Sequence, residues 1–159
     1  MRREDRKISD YDEMLQIVDS CDVCRIALPD DGAPYIVPVN FGWEDANGTL
    51  MLYFHGADTG RKLDLIEKNP GLSGFEMDCA HRLRQAEEAC KYTYFYKSVI
   101  GEGTIEYLDD TAEKKYGLRQ ILRHYAGEED ADALPMQDAM LEKTAVLRMR
   151  VIKWSAKSH

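Results

Sequence analysis

The sequence predicts a mainly β fold with some α content: a small antiparallel barrel of six strands with helices packed around it. Three observations carry that prediction. Apolar runs of strand length recur at short spacing, turn-forming Gly, Asn, Asp and Pro separate them, and few segments between them show a helical period. A parallel, doubly wound sheet needs a helix at each crossover, and those helices are missing. The 159 residues contain no internal repeat and no linker of biased composition, so residues 1–159 read as one domain.

A first helix is expected over residues 10–20. Asp10 and Glu13 have capping-box spacing, and Tyr11, Met14, Leu15 and Val18 recur with helical period. Residues 23–28 and 35–42 read as two strands joined by the turn Pro29-Asp30-Asp31-Gly32, together a hairpin. A third strand, 50–55, follows Asp45-Ala46-Asn47-Gly48, where Asn and Gly both tolerate positive φ. Next come a glycine-flanked loop, 56–60, and a short helix through Arg61, Lys62, Leu63, Leu65 and Ile66 that stops at Asn69-Pro70. Residues 72–77 form a fourth strand, and 78–91 are a charged connector without a clear assignment. A long fifth strand covers 92–108, where Gly101 and Gly103 permit bending. Asp110 and Glu113 open another helix, whose stripe of Leu118, Ile121, Leu122 and Tyr125 ends at Gly127. An acidic loop over 128–135, a short helix over 136–143 and a last strand over 144–154 complete the chain.

Charge narrows the partners. With 21 Lys plus Arg against 29 Asp plus Glu, the net charge is −8 and the pI near 5.0. Such a surface repels nucleic acid and anionic membranes, so any anionic ligand needs a local cationic site. No apolar run approaches the length of a membrane helix, and the polar N-terminus has no signal core, which points to the cytoplasm. Cys21, Cys24, Cys79 and Cys90 are too few for a disulfide scaffold and read as reduced thiols. Cys21 and Cys24 have C-x-x-C spacing. A redox pair wants a strand before it and a helix after, the reverse of the order here, so two small buried residues at the start of a strand are the simpler reading.

Two local patterns carry chemistry. In Tyr53-Phe54-His55-Gly56-Ala57-Asp58-Thr59-Gly60-Arg61-Lys62 a strand opens through glycines into a helix with two cations in its first turn. Helix N-terminal N–H groups favour an anion, and Arg61 and Lys62 would add charge-assisted contacts, so a phosphate fits; a solvated helix face is the competing reading. In Ile36-Val37-Pro38-Val39-Asn40-Phe41 a proline interrupts an apolar strand. Pro38 cannot donate to a ladder, so the strand is an edge or is bulged, and unpaired backbone groups beside it could address a planar heterocycle.

The runs Pro34-Tyr35-Ile36-Val37-Pro38-Val39-Asn40-Phe41-Gly42, Tyr53-Phe54-His55-Gly56-Ala57, Gly60-Arg61-Lys62 and Tyr96-Lys97-Ser98-Val99-Ile100-Gly101-Glu102-Gly103, in this order, resemble the pyridoxamine 5′-phosphate oxidase-like superfamily, nearest its 5-nitroimidazole-resistance branch. That resemblance implies a Greek-key split β-barrel, a homodimer and FMN held in a cleft between subunits. Carried onto this chain, it implies that Val37, Pro38, Val39 and Asn40 line the isoalloxazine ring through backbone groups, and that Phe54 and His55 sit beside the ring and ribityl chain. Arg61 and Lys62 would clamp the phosphate, and Ser98 and Val99 would complete the site, from the partner subunit if need be. The arginine and histidine pattern that pyridoxamine phosphate oxidation requires near the C-terminus is replaced by Val151-Ile152-Lys153-Trp154-Ser155, which argues against vitamin B6 oxidation.

The implied chemistry is that of an NAD(P)H-dependent reductase acting through the flavin on a small acceptor, nitroaromatic or quinone in type. His55 is the one candidate catalytic residue, as a proton donor to the reduced acceptor, and packing beside the ring is its simpler role. No metal site is expected. Two alternatives stand beside this reading: a flavin-binding protein without turnover, and a haem-binding barrel with His55, His81 or His124 as axial ligand. Tyr92, Tyr94, Phe95, Tyr96, Trp43 and Trp154 are expected to pack the core and a dimer interface.

Overall fold

The computed structural model describes residues 3–159 and is built on one mixed-length antiparallel sheet with five helices around it. In chain order the elements are β1 (Lys7–Ile8), α1 (Tyr11–Asp19), β2 (Cys24–Leu28), β3 (Tyr35–Val39), β4 (Phe41–Asp45), β5 (Leu50–Ala57), α2 (Arg61–Lys68), β6 (Leu72–Arg84), β7 (Thr93–Tyr107), α3 (Thr111–Ala126), α4 (Glu128–Ala133), α5 (Asp138–Leu141) and β8 (Thr144–Ser158). The mainly β class is as expected. The six-strand barrel is not: the sheet has eight strands in the order β3-β2-β6-β7-β8-β5-β4, with β1 added to β8, and it is not closed by hydrogen bonds.

The two extra strands have simple origins. β1 pairs only two residues with the far end of β8, Lys7 with Lys157 and Ile8 with Ala156, too short a run for any sequence period. The other comes from division of the expected strand 35–42. Up to Val39 this run pairs with β2, with Val37 opposite Ile26 and Pro38 opposite Arg25; from Phe41 it pairs with β5, with Phe41 opposite Phe54. Asn40 alone separates the two terminal strands of the sheet. The sheet therefore curls until its edges meet at one residue without pairing, and Pro38, with no N–H to give, sits on such an edge.

The connector over 78–91 is mostly strand: β6 runs on to Arg84 and pairs with β7 as far as Arg84 with Thr93, across an irregularity between Cys79 and Arg82. Charged alternation without a buried face left no strand signal there. The ladder between β7 and β8 shifts register between Glu102 and Gly103, where the sequence leads one to expect bending. The acidic segment expected as loop holds α4, whose Glu128, Glu129 and Asp130 lie in the first turn and suit the helix dipole.

The core follows from period-2 alternation. Ile26 and Leu28 of β2, Leu50, Leu52 and Phe54 of β5, Met77 of β6 and Leu147 and Met149 of β8 are almost wholly buried. Asp10 caps α1 by accepting from the Glu13 N–H at 2.9 Å, and Met14, Ile17 and Val18 dock on this core. α3 lies directly on β4, and its far end is pinned where the strand changes partner: the Tyr125 hydroxyl accepts from the Phe41 N–H at 3.2 Å and donates to the Asp22 carbonyl at 2.7 Å. No helix among the described residues is long and apolar enough to cross a membrane.

Candidate functional site

β5 leaves the sheet at Ala57, and the chain enters α2 through Gly60, whose φ of 134° suits glycine. No side chain caps this helix, and the Gly60 carbonyl accepts from the N–H groups of Leu63 and Asp64. By helix geometry, the N–H groups of Arg61 and Lys62 have no intrahelical acceptor, so they mark a place for an anion.

The two cations of that first turn have different fates. Lys62 folds back over β5, where its Nζ donates to the His55 carbonyl at 3.2 Å and lies 5.9 Å from the Phe54 ring centroid. Gly56 makes this cradle, since a Cβ there would stand 2.8 Å from the ammonium. Burial lowers the Lys62 pKa from its ordinary value, and no carboxylate acts to offset it. Arg61 turns instead to the β2–β3 turn, with Nη2 2.7 Å from Asp30 Oδ2 and the guanidinium 4.6 Å from the Tyr35 ring centroid. The Arg61 hydrogen bond and the Asp31 N–H hold the Asp30 carboxyl below its usual range. Asp30 and Tyr35 are the partners that sequence reading missed, because an ion pair 31 residues apart leaves no local pattern.

His55 stands next to this cradle at the mouth of a cleft of about 560 Å³. α3 supplies one wall with Leu118, Leu122 and Tyr125, and the segment around α5 supplies the other with Met136 and Met140. The α3 stripe was legible as an apolar face, but nothing in it said that part of that face borders a cavity. Burial and then the Lys62 charge push the His55 pKa below its ordinary value, so the imidazole is neutral near pH 7. His55 protonation is thereby disfavoured in the folded chain, and its contribution to stability declines as pH falls through the ordinary histidine range. An NMR titration should give a His55 midpoint below 6.5, and Lys62→Ala should raise it partway, since burial remains; an unchanged midpoint would remove the charge coupling.

The remaining expected residues divide into two groups. Val37, Pro38, Val39 and Asn40 lie on the terminal strand β3 and its exit, with Val39 buried and Pro38 and Asn40 exposed. Phe41 is opposite Phe54, so Asn40 comes alongside His55 one residue further on. Phe54 itself points its ring into the core, beneath Lys62. Ser98 and Val99 are elsewhere. Along β8, His55 is opposite Val146 and Ser98 is opposite Lys157, about 36 Å apart along an extended strand. Within one chain they do not join Lys62 and His55.

The other two expected histidines are engaged. His81 Nε2 is 2.8 Å from Asp78 Oδ2. The His124 side chain is 3% exposed, packs 4.4 Å from Phe41 between ring centroids, and places Nε2 2.8 Å from the Cys21 carbonyl, an acceptor that requires the proton on that nitrogen.

Comparison with known proteins gives a consistent assignment. A family model described as pyridoxamine 5′-phosphate oxidase matches residues 10–158. Among curated proteins no relative matches significantly. A proposed 5-nitroimidazole antibiotic resistance protein from Bacteroides thetaiotaomicron superposes with a TM-score of 0.81 at 27% identity, over 96% of this chain and 86% of that one. The flavocytochrome Anf3 from Azotobacter vinelandii gives 0.81 at 22% identity, over 100% of this chain and 72% of the other. A FAD- and haem-binding protein from Mycobacterium smegmatis gives 0.81 at 19%, over 96% and 73%; at these lower identities the likeness concerns the fold.

Proposed function

Because the chain belongs to the pyridoxamine 5′-phosphate oxidase family, we propose that it is an FMN-binding flavoprotein, a homodimeric NAD(P)H-dependent reductase of small organic acceptors such as nitroaromatics or quinones. The observation that carries this reading is the Lys62 ammonium, desolvated in the Gly56 cradle at the uncapped start of α2 and beside the cleft. A half-buried cation without an acidic partner suits a phosphate, which would restore the lost solvation with charge-assisted hydrogen bonds.

In this reading the phosphate binds at Lys62 and the N-terminal N–H groups of α2, with Arg61 joining it on release from Asp30. The edge of β3 and Asn40 provide backbone groups for the flavin ring. Ser98 and Val99 would come from the partner subunit, a reading that their distance from His55 along β8 supports. Bound FMN would supply the redox chemistry, taking two electrons from a reduced nicotinamide and passing them to the acceptor. The protein's share is binding, orientation and exclusion of water. Leu118, Leu122, Met136 and Met140 would hold an apolar, planar acceptor, with the thioethers adapting to its outline. Neutral His55 can donate a hydrogen bond from its ring N–H at the cleft mouth, a weaker role than proton transfer from an imidazolium.

An absorption spectrum of the purified protein, before and after adding FMN and removing the excess, tests the reading. Retained, shifted flavin bands are expected, with NADH or NADPH oxidation once a nitroaromatic or quinone is added. A bare protein spectrum would overturn the flavin assignment; flavin bands without turnover on any acceptor would leave a binding protein. The haem alternative is less well supported, since His81 and His124 are both held by other groups.

A further inference from the structure

The thiols that meet in the fold are not the pair that the spacing suggests. Cys24 opens β2, and its thiol is raised to about 12 by burial, with Glu76 and Arg25 as the charges that act on it; Cys21 is not among them. Cys21 instead faces β6. The register of β2 on β6 pairs Arg25 with Glu76 and Ile26 with Phe75, and continued backward past the start of β2 it brings Cys21 level with Cys79 and Ala80. Cys79 keeps the inward parity of Phe75 and Met77 and packs on the core cluster that contains Cys21. The Cys79 thiol is near enough to raise the Cys21 pKa, while the Cys21 thiol itself donates to the Ile17 carbonyl at 3.1 Å. Cys79 is only half-buried, and it stands where the β6–β7 ladder loses register, beside Ala80 with a φ of 57°. This is the most adaptable point of an otherwise regular strand.

We infer that Cys21 and Cys79 form a reversible disulfide under peroxide, fastening the end of α1 to β6. Cys79, the more accessible thiol, reacts first: its sulfur attacks one oxygen of hydrogen peroxide, the O–O bond breaks, and a sulfenic acid and water result. Cys21 then attacks the Cys79 sulfur, the S–O bond breaks as the S–S bond forms, and the leaving hydroxide takes the Cys21 proton as water. Two thiols are oxidised, one peroxide is reduced, and two waters leave. Burial and the neighbouring Cys79 thiol raise the Cys21 pKa, so thiolate is scarce near neutrality and the second step quickens as pH rises. The bond closes a loop of more than fifty residues, which should raise the melting temperature by several degrees. None of this depends on flavin binding.

The test is non-reducing peptide mapping by mass spectrometry of the full-length protein after treatment with stoichiometric hydrogen peroxide, with and without later dithiothreitol. The expected product is a peptide pair joining Cys21 to Cys79, lighter by two hydrogens than the separate peptides and restored by the reductant. It should persist in Cys24→Ala and vanish in Cys79→Ser. A Cys21–Cys24 bond as the main product, oxidation of Cys79 that stops at sulfinic acid, or no cross-link at all would each overturn the inference. The wild-type map alone decides the matter if a variant fails to fold.

Discussion

Alanine at both Arg61 and Lys62 is expected to weaken FMN binding by about 2–4 kcal/mol, roughly 30- to 700-fold in Kd, as two charge-assisted contacts are lost without full additivity. The structure divides that loss unequally. Lys62→Ala alone should account for most of it, because its ammonium is half-buried with no acidic partner, whereas Arg61 must first give up its 2.7 Å contact with Asp30. Asp30→Asn should then strengthen binding modestly, within about tenfold, by releasing the guanidinium. Fluorescence titration of FMN with each variant checks all three. Equal affinity in wild type and the double variant would remove the phosphate from the start of α2. Folding offers an independent control. The lowered Lys62 pKa means that the charged form is disfavoured in the folded chain at neutral pH and that this penalty fades as pH rises through the ordinary lysine range. Lys62→Ala should therefore leave the flavin-free protein as stable as wild type or slightly more so, which separates a binding defect from a folding one.

The Gly60-Arg61-Lys62 turn was legible in the sequence because everything that makes it is local: a strand, a glycine that permits the turn, and cations at the next two positions. The same holds for the capped helices α1 and α3, whose Asp10 and Asp110 bind N–H groups two or three residues on. What stayed hidden involves distance. Gly56 could be read as a breaker, but only the return of Lys62 across it shows that it makes room for an ammonium. The division of β3 from β4 at Asn40 is a change of partner, invisible to any period because both halves remain extended. Cys21 and Cys24 had the suggestive spacing, yet the register on β6, continued past the start of β2, brings Cys21 level with Cys79, 58 residues away.

Gly42→Ala is expected to be the most damaging small substitution in the fold, since it acts on the contact that joins helix, sheet and cleft. A Cβ at Gly42 would fall within the backbone of α3, at the Gln120 carbonyl and the Ile121 N–H, where no flexible side chain can move aside. The helix would have to retreat from β4 as a body. That movement opposes Ile121, which is buried with Tyr53, Leu108 and Val146, and it pulls on the Tyr125 hydroxyl that holds the Phe41 N–H. Overpacking usually costs about 1–3 kcal/mol, and clashing backbone belongs at or above the upper end, so a loss of about 3–4 kcal/mol and a melting temperature lower by about 10 °C are expected. Gly71→Ala, at a site with nothing within 4 Å of the added carbon, should stay within about 0.5 kcal/mol and serves as the control. Because Leu118, Leu122 and Tyr125 of the same helix line the cleft, any Gly42→Ala protein that folds should bind a planar aromatic acceptor more weakly even below its melting temperature. Thermal unfolding by circular dichroism reads the first effect and acceptor titration the second. A melting temperature within a degree or two of wild type would mean that α3 does not rest on β4, and with it the wall of the cleft would have to be drawn elsewhere.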